Sequence, residues 1–194
     1  MSRPVAVAIT GGIGAGKTEA LRAFARHGAA TVSSDEIVHH LLTRAEVREA
    51  VVARMGNGVL SPAGEIDRGA LGTVVFNDRD ALGWLEELLH PLVSAEYLQW
   101  REQLARLPAP PEVCVTEVPL LYETGGDARF DKVVVITAPT KLRRARSLVA
   151  TGDRESRLIP DAEKAKRADF VFKNTGSLAE LDEFVSSVMH SLTS

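Results

Sequence analysis

Residues 11–18, Gly-Gly-Ile-Gly-Ala-Gly-Lys-Thr, constrain the fold of this chain more than any other segment. An apolar, β-branched run at residues 5–9 precedes them and predicts a buried parallel strand. The segment that follows, residues 19–27, predicts a helix that ends at Gly28. A strand, a glycine-rich loop and a helix in this order are the setting in which a G-x-x-x-x-G-K-[ST] motif binds phosphates. The sequence therefore predicts a nucleoside triphosphate site.

The residues of this loop have separate physical roles. Backbone N–H groups of the loop and of the helix N-terminus point at a polyphosphate. Lys17 adds a positive charge, and the hydroxyl of Thr18 is a ligand for Mg²⁺. A glycine-rich turn that binds nothing is the alternative, and the pair Lys17 and Thr18 disfavours it. The predicted phosphate-binding positions are Gly12, Gly14, Ala15, Gly16, Lys17 and Thr18.

Composition narrows the class of protein. The 194 residues carry a net charge of -3, which argues against general nucleic-acid binding because that usually requires a basic surface. The single cysteine, Cys114, cannot form an internal disulfide, so we expect a reducing compartment. No apolar run approaches the length of a membrane span, and the N-terminus shows no signal peptide. We therefore expect a cytoplasmic protein with no membrane partner. We also expect a monomer.

Strand and helix patterns alternate along the chain, which predicts an α/β fold with a doubly wound, mostly parallel, five-stranded sheet. We predict one domain over residues 1–194, with a helical acceptor-binding subdomain inserted at about 36–110 because that block is too long for a simple crossover. A short lid is predicted at about 144–160. His90 and Pro91 are expected to interrupt a helix. The final helix is expected to bury Leu178, Leu181, Val185, Val188 and Leu192.

The absence of an Asn-Lys-x-Asp element disfavours a GTPase, and the length leaves a small kinase as the best interpretation. Such an enzyme needs a group that accepts the proton of the attacking hydroxyl. Asp35 follows the second predicted strand at the edge where the loop also lies, so it is the candidate. The alternative is that Asp35 only caps the following helix, and both roles can coexist.

Glu117 ends an apolar strand, Val113-Cys114-Val115-Thr116-Glu117, in the manner of a Walker-B element that holds Mg²⁺ directly or through water. An acidic residue at a strand end is also common by chance, so a structural role stays open. After Glu117 the chain forms a stiff apolar turn suited to an acceptor pocket, made of Pro119, Leu120 and Leu121.

Several arginines surround the predicted lid. Guanidinium groups on a closing lid would neutralise the charge that develops on a transferred phosphoryl group. A solvated basic helix face is the alternative for some of them. They are Arg143, Arg144, Arg146, Arg154 and Arg157.

Over nearly its whole length the chain resembles the dephospho-coenzyme A kinase family. The loop is shared by a much larger superfamily, whereas three other segments are more specific. These are Leu89-His90-Pro91, Glu117-Val118-Pro119-Leu120-Leu121-Tyr122-Glu123 and Ala168-Asp169-Phe170-Val171-Phe172-Lys173-Asn174.

The chain departs from the family pattern at three places. Ser33 stands where the family has the first aspartate of an Asp-x-Asp pair, and Glu117 stands where the family has aspartate. The lid is shortened, with Leu148 where an arginine is expected and Leu158 where a glutamine is expected. Arg144 keeps the family position, so the resemblance implies that it is the catalytic lid arginine.

The resemblance implies an enzyme that uses ATP and Mg²⁺ to phosphorylate the ribose 3′-hydroxyl of dephospho-CoA, giving CoA. Lys17, Asp35 and Arg144 are the implied catalytic residues, and Thr18 and Glu117 the implied metal site. Glu19 and Asn174 join the loop in binding ATP. Another nucleoside or nucleotide kinase and a low-turnover nucleotide sensor remain alternatives. The implied contacts of the acceptor are Thr10, Asp35, His90, Pro119, Leu120 and Leu121.

Overall fold

A computed structural model describes residues 3–146 and 158–194 of the chain. Within them lies a five-stranded sheet with the order β2-β3-β1-β4-β5, and every neighbouring pair is parallel. The predicted doubly wound sheet is confirmed, and it is wholly parallel. The strands are β1 (Val5–Thr10), β2 (Ala30–Ser33), β3 (Val113–Glu117), β4 (Lys132–Thr137) and β5 (Phe170–Lys173).

Helices connect these strands. They are α1 (Lys17–Arg26), α2 (Ser34–Thr43), α3 (Ala45–Met55), α4 (Arg68–Asn77), α5 (Arg79–Ala105), α6 (Thr140–Arg146), α7 (Asp161–Arg167) and α8 (Leu178–Thr193). Two short 3-10 turns lie at Asn57–Val59 and Gly126–Arg129.

Both faces of the sheet are covered, because successive side chains of a strand point to opposite sides. On one face Ile9 and Ile136 pack in a buried cluster with α1 and α8. On the other face Ala8 and Val135 pack against Leu121, in the segment that follows β3. A parallel sheet of apolar strands requires this double cover to keep its side chains from water.

The starts of β4 and β5 are fixed by two aspartates in equivalent positions. Asp131 accepts a hydrogen bond from the Ala6 amide at 2.8 Å, and Asp169 accepts one from the Val133 amide at 2.8 Å. Arg3 pairs with Asp131 at 2.6 Å, and Lys132 with Asp169 at 2.8 Å. Partial burial would raise the pKa of each carboxyl, but the hydrogen bonds outweigh it, so both pKa values lie below the ordinary aspartate value.

The chain divides into two compact units. One unit comprises residues 1–34 and 100–194 and contains the whole sheet. The other, Asp35–Gln99, is helical. Within it Asp67 caps α4 by accepting hydrogen bonds from the amides of Gly69 and Ala70, and Arg44 pairs with Glu96 at 2.6 Å.

The predicted helix break at His90 and Pro91 is wrong, since α5 runs through both residues without interruption. A proline inside a helix removes one backbone hydrogen bond. Here the ring of Pro91 is exposed, and a buried stripe at four-residue spacing continues across it. Packing of that stripe outweighs the lost bond. Its members are Leu85, Leu89, Val93 and Tyr97.

The last helix buries three of the five predicted residues, and a fourth, Leu192, is partly buried against the core. Leu181, Val185 and Val188 are buried as expected, whereas Leu178 is 63% exposed. Ser177 caps α8 by accepting a hydrogen bond from the Glu180 amide at 3.2 Å, so Leu178 lies in the first turn, before the helix reaches the core.

Candidate nucleotide-binding site

The glycine-rich loop lies between the carboxyl end of β1, the central strand of the sheet, and the start of α1. Gly14 and Gly16 have φ values of 73° and 100°, which other residues rarely adopt. A β-carbon on Gly14 would lie 2.6 Å from the carbonyl oxygen of Arg143, and one on Gly16 would overlap Asn174. The loop is therefore enclosed by α6 and by the residue that follows β5.

Lys17 is the first residue of α1, and its ammonium group folds back over the loop. Its Nζ donates a hydrogen bond to the carbonyl oxygen of Gly12 at 3.1 Å. The positive end of the helix dipole and the lysine charge thus act at the same place. This is the arrangement that attracts phosphate groups.

Glu117 lies at the carboxyl end of β3, in register with Ile9 of β1 and Ser33 of β2. Its carboxylate is buried, and Oε2 accepts a hydrogen bond from Thr18 Oγ1 at 3.3 Å. The structure thus brings the two predicted metal ligands together. A hydroxyl and a carboxylate are oxygen donors, the type that Mg²⁺ prefers, and Mg²⁺ is commonly held by one or two carboxylates together with substrate phosphates.

Asn174 is buried directly after β5. Its Nδ2 donates to the Ala15 carbonyl oxygen at 2.9 Å, and its Oδ1 accepts from the Gly176 amide at 2.9 Å. The backbone N–H of Asn174 donates a hydrogen bond to the Thr137 carbonyl oxygen at 2.7 Å. The side chain of Asn174 therefore ties the loop to the residues that follow β5.

The predicted acceptor-lining turn is attached to the end of β1. Thr10 Oγ1 donates a hydrogen bond to the Pro119 carbonyl oxygen at 3.2 Å. The Val118 amide donates one to the Ile9 carbonyl oxygen at 2.9 Å. Pro119 and Leu120 are half-buried. Leu121 is fully buried in the core, so it shapes the turn from below.

Sequence reasoning grouped Arg143 with the other lid arginines and missed Asp161, and both lie beside the loop. A β-carbon on Gly12 would lie 2.5 Å from Nη1 of Arg143 and 3.0 Å from Oδ2 of Asp161. Arg143 and Asp161 form an ion pair at 3.8 Å. Arg144, the arginine that the family resemblance favours, is exposed on the same helix.

Asp35 and His90 belong to the unit Asp35–Gln99. Asp35 is exposed in the first turn of α2, two residues after the end of β2, and His90 is half-buried in α5. Glu19 lies in the first turn of α1. Leu148, Arg154 and Arg157, with most of the predicted lid, lie outside the described residues.

The model of the family described as dephospho-CoA kinase matches residues 5–180 of the chain. The chain therefore belongs to the dephospho-CoA kinase family. A relative from Symbiobacterium thermophilum, named dephospho-CoA kinase, is 38% identical over 180 residues, which are 89% of this chain and 74% of that protein.

One solved structure agrees with this assignment, and a second has a similar fold. A dephospho-CoA kinase from Campylobacter jejuni is 27% identical, with a TM-score of 0.68, and the match covers 98% of each chain. A shikimate kinase from Acinetobacter baumannii, 15% identical with a TM-score of 0.55, covers 97% of this chain and 94% of that one. This second likeness shows the fold alone.

None of the helices in residues 3–146 and 158–194 has both the length and the apolar character needed to cross a membrane. Across the same ranges there is no cluster of three or more histidine, cysteine, aspartate or glutamate side chains that could hold a metal ion.

Proposed function

We propose that this protein transfers the γ-phosphoryl group of ATP to the ribose 3′-hydroxyl of dephospho-CoA, giving CoA and ADP. The observation that carries the proposal is the site formed by Lys17, Thr18 and Glu117 at the end of β1 and β3. It lies within a chain that matches the dephospho-CoA kinase family over residues 5–180.

The loop binds the phosphates of ATP through its backbone N–H groups and the Lys17 ammonium. Thr18 and Glu117 would hold Mg²⁺, since their oxygens lie 3.3 Å apart and are of the required type. The metal would neutralise charge on the phosphates. Asn174 keeps the loop in its binding conformation through its bond to Ala15.

At phosphorus, the transfer makes one bond and breaks one. The ribose 3′-oxygen attacks the γ-phosphorus, the bond from that phosphorus to the β,γ-bridging oxygen breaks, and the proton of the hydroxyl passes to the Asp35 carboxylate. ADP leaves with the electron pair of the broken bond. Arg144 stabilises the negative charge that develops on the transferred group.

The turn after β3 contributes to binding of the acceptor. Thr10 fixes this turn through its bond to Pro119. His90 and Leu120 contribute contacts, and Leu121 supports the turn from the core. We place this activity in the cytoplasm and assign it to a monomer. The single thiol, Cys114, is buried, and burial raises its pKa, which suits a structural residue.

An acceptor comparison tests the proposal. Purified protein is incubated with ATP and Mg²⁺ and with dephospho-CoA, adenosine, AMP or no acceptor, and ADP release and the phosphorylated product are both measured. We expect turnover with dephospho-CoA to exceed that with the other acceptors by at least about a hundredfold. Comparable turnover with adenosine or AMP would favour a nucleoside or nucleotide kinase. Binding of ATP without turnover on any acceptor would favour a nucleotide sensor.

A further inference from the structure

Arg143 lies across the phosphate-binding loop at two points. Its Nη1 is close enough to Gly12 that a β-carbon there would lie 2.5 Å away. Its own carbonyl oxygen lies against Gly14, where a β-carbon would approach to 2.6 Å. The side chain is only 19% exposed. The guanidinium group is therefore held over the loop, with little freedom to turn into solvent.

Asp161, the first residue of α7, shares this position. Both of its carboxylate oxygens would lie within 3.1 Å of a β-carbon on Gly12, and Oδ2 is 3.8 Å from Arg143 Nη1. A carboxylate at this point is unexpected, because a phosphate-binding loop favours one anion and a second negative charge repels it. The cation and the anion beside Gly12 thus have opposite effects on a bound phosphate.

Helix α7 is anchored, so Asp161 does not move freely. Lys164 Nζ, fully buried, lies 2.8 Å from Glu123 Oε1. Arg167 pairs with Asp127 at 3.0 Å and stacks over the ring of Tyr122, with its Cζ 4.0 Å from the ring centroid. Three contacts to the segment after β3 therefore hold the helix that presents Asp161 to the loop.

We propose that Arg143 binds the phosphate groups of the nucleotide, and that Asp161 competes with those phosphates for its guanidinium group. The inference rests on the proposed function only in that a nucleoside triphosphate is the ligand of the loop. Arg143 acts on nucleotide binding, whereas the role proposed for the exposed Arg144 is in the transfer step. Affinity for ATP is thus set by the balance of one cation against one anion.

Nucleotide binding without acceptor tests this inference separately from the phosphotransfer reaction. Isothermal titration calorimetry with ATP and Mg²⁺ is performed on the wild type, Arg143→Gln, Arg143→Lys, Asp161→Asn and Lys141→Gln. We expect Arg143→Gln to raise the Kd for ATP by about tenfold or more, and Arg143→Lys to raise it less, because lysine keeps the charge and loses the planar donor pair. Asp161→Asn should lower the Kd by about threefold. Lys141, exposed on the same helix, is the matched control and should stay within about twofold.

Titration with AMP separates phosphate binding from a structural effect. AMP has a single phosphate, so Arg143→Gln should weaken the binding of AMP much less than the binding of ATP. A distorted loop would weaken the binding of both nucleotides alike. Thermal unfolding of each variant checks that the fold is intact. The inference is overturned if Arg143→Gln has a Kd for ATP within about twofold of the wild-type value. It is also overturned if Asp161→Asn has a higher Kd for ATP than the wild type. A wild type that binds no ATP overturns both this inference and the proposed function, whereas ATP binding without phosphotransfer overturns only the latter.

Discussion

Thr18 Oγ1 donates a hydrogen bond to Glu117 Oε2 across 3.3 Å, which joins the first turn of α1 to the end of β3. The two residues come from distant parts of the chain and meet because β1 and β3 are parallel neighbours in register. A buried carboxylate is costly unless it has polar or cationic partners. Its position beside the loop is the reason why we propose it as a ligand of the cation that accompanies ATP.

Glu117→Gln should raise the Mg²⁺ concentration needed for half-maximal rate by about tenfold, because the amide retains the shape and loses the charge. The Michaelis constant for dephospho-CoA should change little. The measurement is initial rate against free Mg²⁺ at saturating ATP. Glu112→Gln is the control, since Glu112 is exposed just before the opposite end of the same strand. An unchanged Mg²⁺ dependence would leave Glu117 with a structural role only.

Asp35→Asn should lower kcat by at least about a hundredfold and leave the Kd for ATP within about threefold, because the amide retains most of the shape and cannot accept the proton. Single-turnover kinetics and calorimetric ATP titration measure the two effects. Asp80→Asn, at an exposed position in the first turn of α5, is the control and should act like the wild type. If the kcat of Asp35→Asn stays within a few-fold of the wild-type value, Asp35 only caps the helix.

Arg144→Lys should lower kcat by at least about tenfold, equivalent to roughly 1.4 kcal/mol of transition-state stabilisation. Lysine keeps the charge but lacks the two-pronged planar donor that matches phosphoryl oxygens. Arg22→Lys, exposed on α1, should change kcat very little. Steady-state kinetics measures kcat for both variants. Equal, small changes in kcat would show that Arg144 has no role in the transfer step.

Lys164→Met should destabilise the protein by about 3 kcal/mol, because it leaves the Glu123 carboxylate buried without its cation. Glu123 is only 12% exposed, and its Oε2 has no hydrogen-bond partner among the described residues. Adding Glu123→Leu to Lys164→Met should restore part of the loss. Lys166→Met on the same helix breaks an exposed pair with Glu163 of similar length, 2.7 Å, and should cost below about 1 kcal/mol. Urea unfolding gives these free energies, and equal costs for the two lysines would contradict the argument.

Asp131 should make the free energy of unfolding sensitive to acid. Its pKa is lower in the folded protein than in the unfolded chain, so its stabilising effect is present above the unfolded value and is lost as the pH falls through the folded value. Asp131→Asn should therefore lower the free energy of unfolding at pH 7, and the difference from the wild type should shrink below about pH 4. Glu183→Gln, exposed on α8, should show no such convergence. Urea titrations at several pH values measure it.

The loop, β1 and the alternation of strands and helices along the chain could be predicted from the sequence. A motif marks the loop, and the periodic spacing of apolar residues marks strands and helices locally. Helix α7 was missed because its segment, Asp-Ala-Glu-Lys-Ala-Lys-Arg, has no apolar stripe. Adjacent residues of a helix differ in direction by about 100°, so Arg143 and Arg144 cannot face the same way. Which of them meets the loop depends on how α6 is oriented on the sheet, which the sequence does not encode locally.

The central position of β1 has a consequence for synthesis of the protein. Val5 pairs with Val113, and Ile9 pairs with Val134, so the strand that carries the loop has neither of its neighbours until most of the chain has left the ribosome. Until then its apolar residues and its unpaired backbone are available to other nascent chains. Such distant pairing also slows folding. The ability to bind ATP should therefore be among the last properties that a newly made molecule acquires, and a chain cut before β4 should never acquire it.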